Sequence, residues 1–169
     1  MKLKSILYIL SMIMVLPCLW SCNNEDDVEE IFASGTWYVV DYFTKANWDK
    51  RNGTPKYNAM ANNKSDPNVA AEGRRALQTI HNFSLTFKAD GNFTGDMQGG
   101  SFEGTWQADG KDRTVHLTIK GNPNISNSYS KEFIETLNNV IFYQGDNNVL
   151  MLGPEDKRSY IQFAHKKQE

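Results

Sequence analysis

The chain has 169 residues, a length that suits one folded domain, and its 18 basic and 20 acidic residues give a formal net charge of −2. Basic residues form no stripe along the sequence, so we expect no nucleic-acid partner. The three histidines lie at least 35 residues apart and match no zinc motif. The sequence therefore predicts no metal site, no cofactor and no enzyme activity.

The first 21 residues have the plan of a secretory signal peptide. Lys2 and Lys4 precede an apolar run over 6–16. At about 1.5 Å per residue this run would cover only about half of a bilayer core of roughly 30 Å. We therefore predict a cleaved signal over 1–21 rather than a retained transmembrane helix.

A lipidation signal lies at the predicted cleavage site. Leu19, Ser21 and Cys22 resemble the lipobox of bacterial lipoprotein precursors. The resemblance implies a diacylglycerol thioether and an N-acyl chain on Cys22, which would anchor the protein firmly to a membrane. We expect a lipid-anchored protein of the cell envelope, with ordinary secretion as the alternative.

An acidic run follows Cys22, and it contains too few apolar residues to pack into a core. We predict a flexible tether over 22–33 that holds the folded domain away from the lipid. An acidic run at this place also resembles the export signal of Bacteroidales lipoproteins. That resemblance implies the outer membrane and exposure at the cell surface.

The folded domain is predicted over 34–169, and its first strand over 35–44. Trp37, Val39 and Phe43 are expected on one face of this strand, since side chains alternate between the two faces. This face should point toward the core.

A long loop is predicted over 45–66, where the alternation of apolar residues is lost. It contains three large apolar side chains, Trp48, Tyr57 and Met60. Either these side chains fix the loop to the domain, or they line the entrance to a ligand site.

Two short helices are predicted. Asp66 is placed to cap the first, over 68–81, and Pro67 suits its first position. The second is predicted over 130–139. Its inward side chains should be Phe133, Ile134 and Leu137.

The remaining apolar residues alternate at strand spacing and are separated by short turns. Three strands are predicted within 83–106, one over 114–120, and three more over 140–143, 149–152 and 160–164. With the first strand, these make eight antiparallel strands connected to their neighbours. Such a chain closes most simply into an up-and-down barrel, giving a mostly β domain with two short helices.

Gly35, Thr36 and Trp37 resemble the Gly-x-Trp signature at the first strand of lipocalins. The whole predicted domain is similar in plan to small lipocalin-like lipoproteins of the Bacteroidales, a group of unknown function. The resemblance implies a lipocalin or calycin type of barrel, in which the tryptophan packs at the closed end beneath a basic residue. His165 and Lys166 are nearest to that place in the sequence.

The interior of an eight-stranded barrel is either filled by side chains or able to hold one small ligand. One hypothesis is an envelope lipoprotein that binds a small apolar or amphipathic molecule at the open end. The alternative is a protein-interaction or accessory module with a filled barrel and no ligand. In both cases we expect a monomer. Bulky side chains predicted in the interior or at the closed end are Trp37, Phe87, Phe102 and Trp106.

Overall fold

A computed structural model describes residues 24–168, and this range forms nine β-strands and four α-helices. The strands are β1 (Thr36–Asn47), β2 (Asn52–Pro55), β3 (Ser84–Phe87), β4 (Asn92–Met97), β5 (Gly100–Asp109), β6 (Thr114–Ile119), β7 (Phe142–Gly145), β8 (Val149–Gly153) and β9 (Ser159–Ala164). The helices are α1 (Asn24–Phe32), α2 (Lys56–Ala61), α3 (Pro67–Ile80) and α4 (Ser128–Asn138). The domain is mostly β, as predicted.

The strands form one antiparallel sheet in the order β2, β1, β3, β4, β5, β6, β7, β8, β9, and β1 also pairs with β9. Eight strands, all but β2, therefore make a closed ring of hydrogen-bonded neighbours. These eight correspond to the eight predicted strands, although β7 begins two residues later than predicted. The pairing is shortest between β6 and β7, where only Thr114 and Phe142 lie opposite each other.

The prediction for the first strand is wrong at Phe43. The register between β1 and β9 shifts between Val39 and Asp41. An extra residue of this kind reverses which face the following side chains point to. Trp37 and Val39 therefore point into the core, whereas Phe43 stacks on Tyr160 outside the ring at 4.7 Å between ring centroids.

One end of the ring is covered by α1, and we call it the α1 end. The last residue of this helix, Phe32, is fully buried. Its ring centroid lies 5.0 Å from that of Phe87, 4.9 Å from that of Trp106 and 5.0 Å from that of Tyr143. These three residues belong to β3, β5 and β7, which meet at this end.

The opposite end is covered by α4, with α3 beside it, and we call it the helical end. As predicted, Phe133, Ile134 and Leu137 of α4 are buried. The ring of Phe133 lies 5.2 Å from that of Phe83 and 6.1 Å from that of Phe102. The connection between β6 and β7 thus closes the second end of the ring.

Part of the segment predicted as a flexible tether, 22–33, is helical in the structure. Its described residues form α1, and Val28 is only 6% exposed. Val28 and Phe32 are four residues apart and therefore share one face of the helix. Ile31 also packs against the core, so three apolar side chains among acidic ones dock this segment, which the composition alone did not reveal.

The segment predicted as a long loop, 45–66, is also more ordered than expected. It contains the end of β1, the short strand β2 and the helix α2. β2 pairs with the last part of β1 and extends it into a hairpin beside the ring. Elements of four and six residues are too short to give a clear periodic signal.

Helix α3 begins as predicted, with Asp66 accepting hydrogen bonds from the backbone N–H groups of Asn68 and Val69. Gly73, which weakens the helix by propensity, has a packing role. A Cβ at this position would lie 2.3 Å from the backbone nitrogen of Ala61 in α2. Glycine therefore permits the close contact between α2 and α3.

The interior of the ring is filled by aromatic side chains that contact one another from end to end. Phe32 contacts Phe87, Phe87 contacts Phe93, Phe93 contacts Phe102 and Phe102 contacts Phe133. The successive distances between ring centroids are 5.0, 5.7, 6.2 and 6.1 Å. Aromatic pairs at such distances each contribute about 0.5–1.5 kcal/mol beyond their buried area.

Two glycines make room for these rings. A Cβ at Gly95 would lie 2.2 Å from Cζ of Phe102, and a Cβ at Gly104 would lie 2.3 Å from Cε1 of Phe93. Because a phenyl ring is rigid, it could not bend away from an added side chain. The strands on this side of the ring are therefore fitted closely to the aromatic interior.

Candidate functional site

Cys22, the predicted lipidation site, lies outside the described residues. The structure does describe the predicted interior residues. Trp37, Phe87 and Phe102 belong to the main core, and Trp106 is half-buried and packs against it. The described chain therefore brings these four side chains into one cluster.

Trp37 lies at the start of β1, where it is fully buried. Its Nε1 donates a hydrogen bond to the backbone carbonyl of Phe32 at 3.3 Å. The imidazole of His165 stacks on its indole with the ring centroids 3.7 Å apart and the planes 30° apart. Trp37 thus joins α1 to the end of the last strand.

Hydrogen bonds fix the position of His165 over this indole. Its Nδ1 donates to the backbone carbonyl of Thr36 at 2.9 Å, and its Nε2 lies 2.9 Å from Oγ of Ser34. Ser34 also donates to the carbonyl of Ile31 at 2.6 Å. The same small network therefore holds the C-terminal end of α1 against β1 and β9.

A second polar cluster lies at the helical end, between α2 and α4. Lys56 pairs with Oε1 of Glu132 at 2.5 Å, and the hydroxyl of Tyr57 donates to Oε2 of the same carboxylate. The ammonium of Lys56 also lies 4.6 Å from the ring centroid of Tyr57. One carboxylate on α4 therefore binds two neighbouring side chains of α2.

Two tyrosines of this region, Tyr57 and the neighbouring Tyr42, are buried. Their hydroxyl groups therefore ionise less readily than that of an exposed tyrosine. Burial raises the pKa of Tyr57 well above its ordinary value, and the hydrogen bond to Glu132 raises it further. Burial also raises the pKa of Tyr42, with a smaller contribution from the charge of Glu132. At neutral pH both hydroxyls keep their protons. Tyr57 uses its proton to donate a hydrogen bond to Glu132.

Asp41 completes this region from inside β1. Asp41 is only 2% exposed, and both oxygens of its carboxylate accept hydrogen bonds from backbone N–H groups. Oδ1 accepts from the N–H groups of Tyr42 at 2.7 Å and Tyr57 at 3.1 Å, and Oδ2 accepts from the N–H of Asn58 at 2.8 Å. Asp41 thus caps the start of α2, which has no cap of its own.

Sequence reasoning missed this polar cluster. One signal was present, since Asp41 stands among apolar and aromatic residues that extend from Trp37 to Phe43, where a lone carboxylate requires several donors. The sequence does not show that those donors come from a helix that starts 15 residues later. Tyr42 remains unusual, because its buried hydroxyl has no hydrogen-bond partner within the described chain.

The side chains predicted to fix the loop or line a ligand entrance do not form one group. Trp48 is 9% exposed and packs with Met151 and Tyr160 in a small cluster outside the ring. Tyr57 is 5% exposed and belongs to the main core, and half-buried Met60 packs against that core. Their burial leaves little apolar surface for a ligand to contact.

Among the grooves on the outer surface of the described chain, one lies at the α1 end and another lies beside α4 at the helical end. The one at the α1 end has a volume of about 480 Å³ and is lined by side chains of both charges, including Glu30, Lys111, Arg113 and Asp146. The one at the helical end has a volume of about 620 Å³ and is lined by several carboxylates, including Glu132, Glu135, Glu155 and Asp156.

Within residues 24–168, His, Cys, Asp and Glu side chains form no group of three or more that could hold a metal ion. The helices of this same range are all too short or too polar to cross a membrane.

Comparison with known proteins identifies the family. A family model described as "Domain of unknown function (DUF4847)" matches residues 23–165. The crystal structure of a DUF4847 family protein from Bacteroides vulgatus ATCC 8482 is 68% identical in sequence, covers 84% of this chain and 99% of that chain, and has a TM-score of 0.81. No curated protein matches the chain. The chain belongs to the DUF4847 family, whose function is unknown.

Proposed function

We propose that this protein is a lipid-anchored protein of the cell envelope whose lipocalin-like barrel is filled and acts through its outer surface. Of the two functions considered from the sequence, this is the protein-interaction or accessory module. It requires no ligand inside the ring, no cofactor and no catalytic site. It works as a monomer that contacts a protein partner.

The observation that carries this proposal is the filled interior. Aromatic rings contact one another from Phe32 at the α1 end to Phe133 at the helical end. A lipocalin that stores a ligand keeps one end open, but here α1 lies over one end and α4 over the other. A small apolar ligand would have to displace buried aromatic side chains, each worth about 3–5 kcal/mol of stability.

The lipocalin-like description has support from the strand order and from the tryptophan. Eight antiparallel strands form a closed ring, and Trp37 lies at the start of the first one. His165 stacks on it from just beyond the last strand, the place where the resemblance implies a basic residue. Histidine instead of arginine is a difference from the lipocalin pattern.

The proposed anchor is supported by the lipobox residues Leu19, Ser21 and Cys22 and by the acidic run after them. The similarity to a protein from Bacteroides vulgatus agrees with the Bacteroidales type of export signal. We therefore propose that the protein is attached to the outer membrane and exposed at the cell surface.

A ligand screen tests the filled interior. Fatty acids, bile acids and sterols are expected to leave the Tm of the purified domain unchanged, because a ligand that binds the folded state raises Tm by mass action. The Phe102→Ala variant serves as the control, since an emptied apolar cavity can accept a small apolar compound such as benzene. A clear increase in Tm of the unchanged protein with any of these lipids would contradict the proposal.

Metabolic labelling with an alkyne fatty acid tests the anchor. The unchanged precursor is expected to incorporate the label, and Cys22→Ser is expected to lose it. Cys18→Ser is the matched control and should still be labelled. Equal labelling of the Cys22→Ser variant would refute anchoring at this cysteine.

Crosslinking on intact cells tests the interaction. Crosslinkers attached to the exposed surface are expected to capture a protein partner, and protease added outside the cells should digest the domain. Capture of no protein by the anchored chain, under conditions that capture known envelope complexes, would count against the interaction module.

A further inference from the structure

The order of α1 limits how far the folded domain can lie from its lipid anchor. Val28 is the first residue of the helix that packs into the main core, and it follows Cys22 by six residues. At 3.3–3.6 Å per residue, six residues reach at most about 20 Å even when fully extended. The free part of the predicted tether, between the anchor and the folded domain, is therefore short.

The position of α1 decides which part of the domain is held near the anchor. The helix is fixed at the turn between β7 and β8, where Asn147 Nδ2 donates to Oε1 of Glu30 at 3.1 Å. A Cβ on Gly145 would lie 3.3 Å from Cγ2 of Ile31, so the helix also packs on the end of β7. The anchor therefore leaves the domain at the α1 end.

The helical end is too far away to lie against the same membrane. β5 has ten residues, which extend for roughly 33 Å along the strand, or about 25 Å along the axis of a tilted ring. α4 lies beyond the end of β5 that is farther from α1. A chain of about 20 Å cannot reach around the ring to this side.

We propose that the α1 end of the ring faces the lipid surface and that the helical end points away from it. This proposal rests on the anchoring at Cys22 proposed above. The lipid-facing surface consists of the turns over 88–91, 109–114 and 145–149 and the residues after β9. The surface available to a partner is then the helical end, with α2, α3, α4 and the acidic groove beside α4.

The length of the tether, rather than charge, sets this orientation. Exposed residues at the α1 end include the basic Lys111 and Arg113 and also the acidic Asp112 and Asp146. With both signs present, no strong attraction to an anionic surface is expected. The orientation should therefore be the same on neutral and on anionic vesicles.

The chain suits a labelling experiment, because its only cysteines are Cys18 in the signal and Cys22 at the anchor. In the acylated mature protein, a single introduced cysteine carries the only free thiol. Lys111→Cys places a fluorescent label at the α1 end, and Glu155→Cys places it in the turn between β8 and β9 at the helical end. Both positions are exposed. His116→Cys, exposed on the outer face of β6, is the intermediate control.

The labelled, acylated proteins are bound to phosphatidylcholine vesicles that contain lipids with a nitroxide on the headgroup. Because a strand length separates the two ends, we expect at least about threefold more quenching at position 111 than at position 155. Position 116 should give an intermediate value. The same order should appear when phosphatidylglycerol is added.

Flotation of the vesicles separates failure of the anchor from failure of the orientation. If the acylated protein does not float with the vesicles, the anchoring fails and the orientation fails with it. If the protein floats but positions 111 and 155 are quenched equally, or 155 more strongly, only the orientation is overturned. The variant without Cys22 should neither float nor be quenched.

Discussion

The two ends of the ring are closed in different ways. The α1 end is closed by one short helix at the start of the described chain, through Val28, Phe32 and the stacked pair of Trp37 and His165. The helical end is closed by α4 within the chain. There the apolar contacts of Phe133 are combined with the polar cluster of α2 and α4.

This difference has a consequence for stability. Helix α1 precedes all nine strands of the described range, 24–168, so it can leave its site without breaking the order of paired strands. A helix between β6 and β7 cannot leave without straining both strands. The α1 end is therefore expected to open locally, whereas the helical end should unfold together with the whole domain.

The largest effect is expected from the two phenylalanines that close the ends. Phe133→Ala should lower the free energy of unfolding by about 3–5 kcal/mol, because it leaves a cavity among fully buried rings. Phe32→Ala should lower it by only about 2 kcal/mol, since α1 can detach while the ring stays folded. Urea denaturation followed by tryptophan fluorescence measures both values.

Measurement of amide hydrogen exchange provides the control for these two variants. Phe32→Ala should increase exchange in α1 alone, and Phe133→Ala should increase it throughout the sheet. Equal losses of stability with the same exchange pattern would mean that the two ends form one cooperative unit.

The next largest effect on stability is expected at Asp41, which caps the start of α2. Asp41→Asn should lower the free energy of unfolding by about 2 kcal/mol, because the amide offers one acceptor oxygen to three backbone N–H groups, two of them buried, and leaves donors unpaired. Asp66→Asn is the matched control, since asparagine is as good as aspartate at an exposed N-cap. Chemical denaturation of both variants tests this, and a similar cost at the two positions would contradict the role given to Asp41.

A smaller effect is expected where α2 meets α3. Gly73→Ala places a methyl group against the backbone of Ala61 and Met60, which cannot rotate away. Overpacking of about 1–3 kcal/mol is partly offset by about 1 kcal/mol of helix propensity, so we expect a net loss of about 1 kcal/mol. Gln78→Ala, exposed on the same helix, should change stability by less than about 0.5 kcal/mol. A gain in stability for Gly73→Ala would show that the helices do not touch as closely as described.

Local patterns predicted much of this fold. The three strands within 83–106 appear because side chains alternate and the turns are short. The start of α3 at Asp66 and the inward face of α4 also follow from capping and helical spacing. In each case the signal lies within a few residues of the structure it specifies.

What the sequence did not predict depends on contacts between distant segments. α1 forms because Phe32 meets Phe87 and Trp106, which are far away in the sequence. α2 forms where Asp41 caps it from another element, and Phe43 points outward because of the irregular pairing of β1 with β9. The filled interior likewise depends on which side chains share the ring, so the sequence left both functional hypotheses open.

The smallest effect concerns His81, which follows α3 at the helical end and donates from Nε2 to the carbonyl of Val40 at 3.0 Å. Burial lowers its pKa below the ordinary value of 6.5, although the bond to Val40 and the charge of Asp41 oppose this shift. As the pH falls below 6.5, the unfolded chain therefore binds a proton before the folded one does. The contribution of His81 to stability is present above that pH and is lost as the pH falls through the lowered pKa.

We expect the free energy of unfolding to decrease between pH 7.5 and pH 5.5 in the unchanged protein, and to decrease less in His81→Gln. Glutamine keeps a donor near the position of Nε2 but does not titrate. His116→Gln, at an exposed site on β6, should leave the slope unchanged. Equal slopes for His81→Gln and the unchanged protein would mean that the helical end contains no histidine whose protonation opposes folding.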